Sequence, residues 1–221
     1  MITKEATGGH INPDTFPRLW TWSELKAFVD SGDLDSLKRH PLFEEAYLAW
    51  CEEAVQMYGS VVEYMLKCRL RWDLSVPPHI GTGKEYFTAG ISSDLVRILP
   101  NDWPYSVPHD VSHFLVWSRL PFVHPDIIPE AIWDRVAQGG LSGFTGSETT
   151  PKNIGGNNDL VRIATSEIEN FISASWNPTE YETAWFLNPP RLQSVPGLAH
   201  VHVFARKKTE EESNGCEARR T

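Results

Sequence analysis

His200 and His202 stand two residues apart in the run Ala199-His-Val-His-Val-Phe-Ala205, at the end of the segment that begins with Trp185. On a strand, the side-chain period of two sends both imidazoles to one face and Val201 and Val203 to the other. Two imidazoles on one face can exchange hydrogen bonds, move a proton near neutral pH or hold a metal. A half-exposed edge strand would tolerate the same pattern. A third imidazole opens His113-Phe-Leu-Val-Trp-Ser-Arg119, where alternation sets His113, Leu115, Trp117 and Arg119 on one face. Histidine beside an aromatic ring and an arginine can bind an anion or act as a general acid or base; alone, it is an ordinary core histidine. The three histidines could supply a zinc site with an open position, but their spacing only permits this, and no metal or cofactor is expected.

Asn101-Asp-Trp-Pro-Tyr105 gathers an amide, a carboxylate, an indole and a phenol around one fixed proline. Asx residues favour turns, so the string reads equally as a structural Asx-Pro turn. Ser166-Glu-Ile-Glu169 has the form of a capping box opening a helix whose apolar stripe is Ile168, Phe171 and Ile172. Glu167 and Glu169 then lie in a first turn, where the dipole favours carboxylates, and capping accounts for Glu169 better than for Glu167. Facing a pocket with Asp102, they would form an acidic recess suited to a guanidinium group. The string Gln193-Ser-Val-Pro196 followed by His200-Val-His202 resembles the histidine-triad nucleotide hydrolases, but their third histidine would fall at Phe204. That argues against their chemistry.

The elements that must position these residues are read from pattern and composition. A chain of 221 residues, 41% hydrophobic, can bury one large core. Thr21-Trp-Ser-Glu24 is a capping box leading into Leu25, Phe28 and Val29, and Pro41 to about Leu70 carries apolar residues at helical spacing. Pro77-Pro78, Gly81 and Gly83 break the chain into a loop. Strands are expected at Val96–Leu99, His113–Ser118, Ala184–Leu187 and Val201–Ala205, a turn of helix at Pro108–Val111, a helix at Ile127–Val136 and a long loop at Gly139–Asn158. The links are too irregular to supply a crossover helix for each pair of strands. The reading is therefore one α+β domain over residues 15–206, a mainly antiparallel sheet covered on one face by helices, with a helical first third. The tails 1–14 and 207–221 have little to bury and are expected to be disordered.

No run reaches the length of a membrane span, and the first ten residues lack the apolar core of a secretory signal, so a cytoplasmic protein without a membrane partner is expected. Cys51, Cys68 and Cys216 contain no C-x-x-C, which argues against a disulfide framework and a structural zinc site. The net charge of −9, from 29 acidic and 20 basic residues, disfavours nonspecific nucleic-acid binding over a wide surface. A local basic patch at Lys67, Arg69 and Arg71 remains, and the basic end of a helix explains it as well. Nine tryptophans suit a pocket wall, with Trp103, Trp117 and Trp185 in or beside the most distinctive segments.

Asn101–Tyr105, His113–Trp117 and Trp185–Val203, in that order, resemble the fungal N-acetylglucosamine-induced protein family, catalogued as a domain of unknown function. The resemblance extends to the arginine-containing cyclodipeptide synthases grouped with it. It implies an aminoacyltransferase of fungal secondary metabolism that takes arginyl-tRNA and a second charged tRNA and releases a diketopiperazine. Under that implication Asp102, Glu167 and Glu169 recognise the guanidinium, and His113, His200 or His202 acts as the base. Asn101, Asn188 and Gln193 supply oxyanion donors, and Trp103, Tyr105, Trp117, Arg119 and Trp185 line the substrate pocket. The ester is already activated, in keeping with the lack of a Gly-Lys-Ser/Thr phosphate loop. The Asp-Asp-x-x-Glu string of those synthases does not occur here, so a variant set would have to carry its role. The alternative is a noncatalytic or regulatory protein of the amino-sugar response whose Trp-rich pocket holds a small polar ligand. A basic patch beside the pocket favours the first reading, and a uniformly acidic surround favours the second.

Overall fold

The computed structural model describes residues 19–73, 75, 85–147 and 158–217. The tail 1–14, the Pro77–Gly83 break and residues 148–157 of the glycine-rich loop lie outside the described residues. Helix α1 (Trp22–Ser31) begins at the expected capping box: Thr21 Oγ1 accepts the Glu24 N–H at 3.2 Å, and Glu24 returns Oε2 to the Thr21 N–H at 2.8 Å. It buries Leu25 and Val29. Helix α2 (Pro41–Tyr58) starts with proline at its first turn and stops at Gly59, whose φ of 88° is the left-handed cap. The helical pattern expected to run to Leu70 is thus interrupted. Ser60 caps a new start, α3 (Val61–Tyr64), which continues as a π-helical turn, Met65–Leu70. That turn directs Met65, Leu66 and Leu70 against the sheet.

The sheet has five strands in the order β1-β2-β5-β4-β3, antiparallel throughout: β1 (Val96–Pro100), β2 (Val111–Ser118), β3 (Leu141–Thr145), β4 (Tyr181–Leu187) and β5 (Ala199–Lys207). All four expected strands pair in it. Strand β3 lies where a loop is expected, because five residues centred on a glycine carry little strand signal. Gly143 is needed there: a Cβ would stand 2.7 Å from the Trp185 ring.

Helices cover both faces of the sheet, not the single face expected. One face buries Val116, Trp185, Leu187, Val201 and Val203 under α5 (Asn158–Ser175) and α4 (Trp133–Gly139). The opposite face meets α1 through Ala184, Phe186 and Phe204 and the π-helical turn through Leu115 and Trp117. Strands β4 and β5 are buried on both sides, the pattern of a strand with no solvent face.

Three local expectations also change. Helix α5 starts about two turns before Ser166, whose Oγ bonds back to the Ile163 carbonyl at 2.9 Å, so Ser166–Glu169 is mid-helix and not a capping box. Pro108–Val111 is a hydrogen-bonded turn, and the helix expected at Ile127 starts later, after Pro129, as a 3-10 turn leading into α4. The polar tail forms α6 (Glu210–Glu217), where Thr209 and Glu212 exchange a capping box at 2.8 and 3.3 Å and Glu212 pairs with Arg206. Among the described residues no helix is long and apolar enough to cross a membrane.

Candidate functional site

Strands β2 and β5 are neighbours, and their register sets Leu115 opposite His202, Trp117 opposite His200 and His113 opposite Phe204. The three histidines therefore share the face toward α2 and the π-helical turn. His113 Nε2 lies 3.0 Å from His202 Nδ1, and the Tyr105 backbone N–H donates to His113 Nδ1 at 3.3 Å. This fixes the protons: a neutral His113 that accepts at Nδ1 carries hydrogen on Nε2 and donates it to His202. His202 then carries hydrogen on Nε2, 3.3 Å from the Asn188 side-chain amide, which must turn its oxygen to that nitrogen. His200 is anchored separately, its Nδ1–H donating to the Leu198 carbonyl at 2.8 Å.

Aromatic rings seal the group. His202 lies parallel to Phe186 at 4.7 Å and to Tyr105 at 5.5 Å, and His200 packs on Trp117 at 4.5 Å between centroids. Burial pushes the His113 pKa down to about 3, with the Arg39 guanidinium adding to the effect. Burial also holds His202 well below its ordinary value, helped by His113, His200 and Arg39, and lowers His200. All three rings are neutral at pH 7.

A cavity of about 40 Å³ opens beside them, lined among others by Trp103, Trp117, His200, His202, Arg39 and Arg69. Asn101 Oδ1 accepts the Trp103 N–H at 3.0 Å, the expected Asx turn, while the Asn101 backbone N–H bonds to the His113 carbonyl at 2.8 Å. Asp102 pairs with Arg69 at 2.7 Å; burial raises its pKa and Arg69 opposes the shift. Arg39 lies 3.9 Å over the Tyr47 ring, donates to the Trp103 carbonyl at 3.0 Å and pairs with Glu44 at 2.9 Å. Asn188 and Gln193 line a separate cleft of about 290 Å³, where Gln193 donates to the Asn188 carbonyl at 3.1 Å.

The structure brings together Asn101, Asp102, Trp103, Tyr105, His113, Trp117, His200 and His202. Asn188 reaches His202 from the neighbouring cleft, whereas Arg119, Glu167, Glu169, Trp185 and Gln193 lie elsewhere. Glu167 accepts the Ala89 backbone N–H at 2.6 Å, and Glu169, its pKa raised by burial, lies against Gly143. Both belong to α5 on the opposite face, so no recess combines them with Asp102. Trp185 is buried on that same face, because it is register partner to Val203 and not to His202. Arg119 lies beyond the end of β2, stacked at 5.6 Å on Trp72. Arg39, Tyr47 and Trp50 were not singled out from sequence, although Tyr47 and Trp50, three residues apart on α2, share one helix face and meet Trp103 at 5.6 Å. Among the described residues no three His, Cys, Asp or Glu side chains are grouped to hold a metal ion.

Fold and site together define an α+β protein with a five-stranded antiparallel sheet and a buried imidazole cluster opening on an aromatic cavity. The chain belongs to the family described as Protein of unknown function (DUF3605), whose model matches residues 21–206. It is similar to the uncharacterized protein YPL067C of Saccharomyces cerevisiae, 25% identical over 84% of this chain and 78% of that protein. It is also similar to N-acetylglucosamine-induced protein 1 of Candida albicans, 24% identical over 85% of this chain and 68% of that protein. The crystal structure of HTC1 shares the fold, with a TM-score of 0.56 and 23% identity over 89% of this chain and 92% of that one.

Proposed function

We propose that the protein binds a small polar ligand in the histidine cavity without catalysis, as a regulatory protein of the amino-sugar response. The observation that carries this reading is the state of His113 and His202. A general base works best with a pKa near the operating pH, whereas burial takes His113 down to about 3. Both His113 nitrogens are engaged, one by the Tyr105 N–H and one by His202. His202, held in place by His113, gives the cavity a neutral, rigid wall, and Trp50, Trp103 and Trp117 supply flat faces of the kind that pack on a sugar ring. The name of the Candida relative supports an amino sugar as the ligand class. Calorimetric titration of the full chain with N-acetylglucosamine, glucosamine and glucose tests this. Saturable binding that weakens at least tenfold in Trp50→Ala is expected. Flat isotherms with all three sugars at millimolar concentration contradict it.

A second reading is the aminoacyl-tRNA-dependent synthase of an arginine-containing diketopiperazine. It is favoured by Lys67, Arg69 and Arg71, which follow one another along the π-helical turn and its cap while Arg69 lines a cavity holding the Asp102 carboxylate. Asp102 would receive the arginine side chain, His200 would serve as base, and the basic rim would meet the tRNA backbone. Two facts weigh against it: Asp102 is already paired with Arg69, and Lys67 with Glu63 at 3.1 Å. Expression in a heterologous host with mass analysis decides between the readings. An arginine-containing cyclic dipeptide that disappears in Asp102→Asn establishes the synthase, and its absence leaves the binding reading.

A further inference from the structure

The cleft of about 290 Å³ shares no lining residue with the histidine cavity among the described residues, and it is built differently. Helix α4 supplies one wall through Trp133, Val136 and Ala137, and the chain from Leu187 to Ala199 supplies another. Backbone contact pins the two walls together where the chain leaves α4. Gly140 has a φ of 75°, and a Cβ there would run into the Leu187 carbonyl oxygen and stand 3.1 Å from Pro189 Cδ. Pro189 and Pro190, both on the second wall, have φ fixed by their rings. The cleft is thus preformed, and a ligand entering it spends little on ordering the protein.

Charge, size and shape narrow the ligand. Among the described residues no Asp, Glu, Lys, Arg or His lines the cleft. Its two amides are engaged with the protein itself: Asn188 reaches His202 at 3.3 Å, and Gln193 donates to the Asn188 carbonyl at 3.1 Å. An ion placed there would give up hydration and meet no opposite charge. An apolar cavity of about 150 Å³ takes one benzene ring, so the space of about 290 Å³ takes two fused rings. Trp133 supplies a face for them: it is half-buried, and among the described residues its indole makes no ring contact or hydrogen bond. We propose that this cleft is a second ligand site, for a neutral aromatic molecule of about two fused rings that packs on Trp133. The site is independent of what the histidine cavity binds.

Backbone ¹H–¹⁵N spectra of the full chain, recorded during titration with indole, test the assignment. Indole-3-acetate and tryptamine present the same rings with a negative and a positive charge. Saturable shifts at Ala137, Gly140 and Gly197 are expected with indole, and at least tenfold weaker binding with the two ions. Ala137→Phe, at an exposed position of α4 on the cleft wall, should weaken indole at least tenfold; if that variant does not fold, Trp133→Leu should do the same. Shifts confined to Arg69, Asp102 and Trp103 overturn the assignment, because they put the rings in the histidine cavity. Unchanged spectra at millimolar indole, equal affinity for either ion, or wild-type affinity in a folded variant also overturn it.

Discussion

His113 Nε2 meets His202 Nδ1 at 3.0 Å across the β2–β5 pair, although the two are diagonal neighbours and not register partners. Imidazoles that close, both buried, cannot both be cations.

Stability should therefore fall on mild acidification. An unfolded histidine titrates near 6.5, whereas His113 in the fold does so at about 3. Between these values the unfolded chain binds more protons, so stability rises with pH. The expected slope is about 1.4 kcal/mol per pH unit from His113 below pH 6.5, flattening above about 7. Urea denaturation at pH 7.5, 6.5 and 5.5 checks this, and equal stabilities at all three would count against a neutral cluster.

Glu182 provides a second pH-dependent term in a lower range. Burial alone would raise its pKa, but hydrogen bonds from Lys26, Arg206 and Trp22 outweigh it and hold the carboxyl at about 2. A depressed carboxyl stabilises the fold above its unfolded value near 4.3, and that contribution is lost as pH falls toward 2. Glu182→Gln should cost about 3 kcal/mol at pH 7, measured by denaturation, and the difference from wild type should vanish near pH 2.

The sheet and the convergence of Asn101–Tyr105, His113 and His200–His202 were legible because alternation carries them. Strand period fixed which histidines share a face, and adjacency of β2 and β5 did the rest. The second helical layer was hidden because Trp185 and Phe186 are both apolar, so no polar side marked a solvent face. Arg39 was hidden because its partners, Tyr47, Glu44 and the Trp103 carbonyl, include one far away in sequence. Glu167 and Glu169 misled because Ser-x-x-Glu at 166–169 matches a capping box wherever it falls.

Gly143→Ala should destabilise by about 1–3 kcal/mol, the usual cost of overpacking a filled core. The added Cβ would stand 2.7 Å from a fully buried Trp185 ring and 2.8 Å from Glu169 Oε1. Denaturation midpoints report it, and a neutral substitution would mean that β3 shifts freely on β4.

Glu167→Gln and Glu169→Gln should each cost no more than about 1 kcal/mol, since Gln keeps an acceptor for the Ala89 N–H and burial already favours a neutral group at Glu169. Ligand affinity at the histidine cavity should stay within about twofold, by calorimetry. A tenfold loss in either variant would tie α5 to the cavity.

In the proposed binding role, the cavity holds its ligand through neutral imidazoles without acid–base chemistry. Side-chain ¹⁵N resonances of His113, His200 and His202, followed from pH 8 to 5, test it most directly. Hydrogen is expected on Nε2 of His113 and His202 and on Nδ1 of His200, with His113 neutral over the whole range and burial holding His202 and His200 below their ordinary value. A ring among the three that becomes cationic between pH 6 and 8 would contradict it and restore a general acid or base to the site.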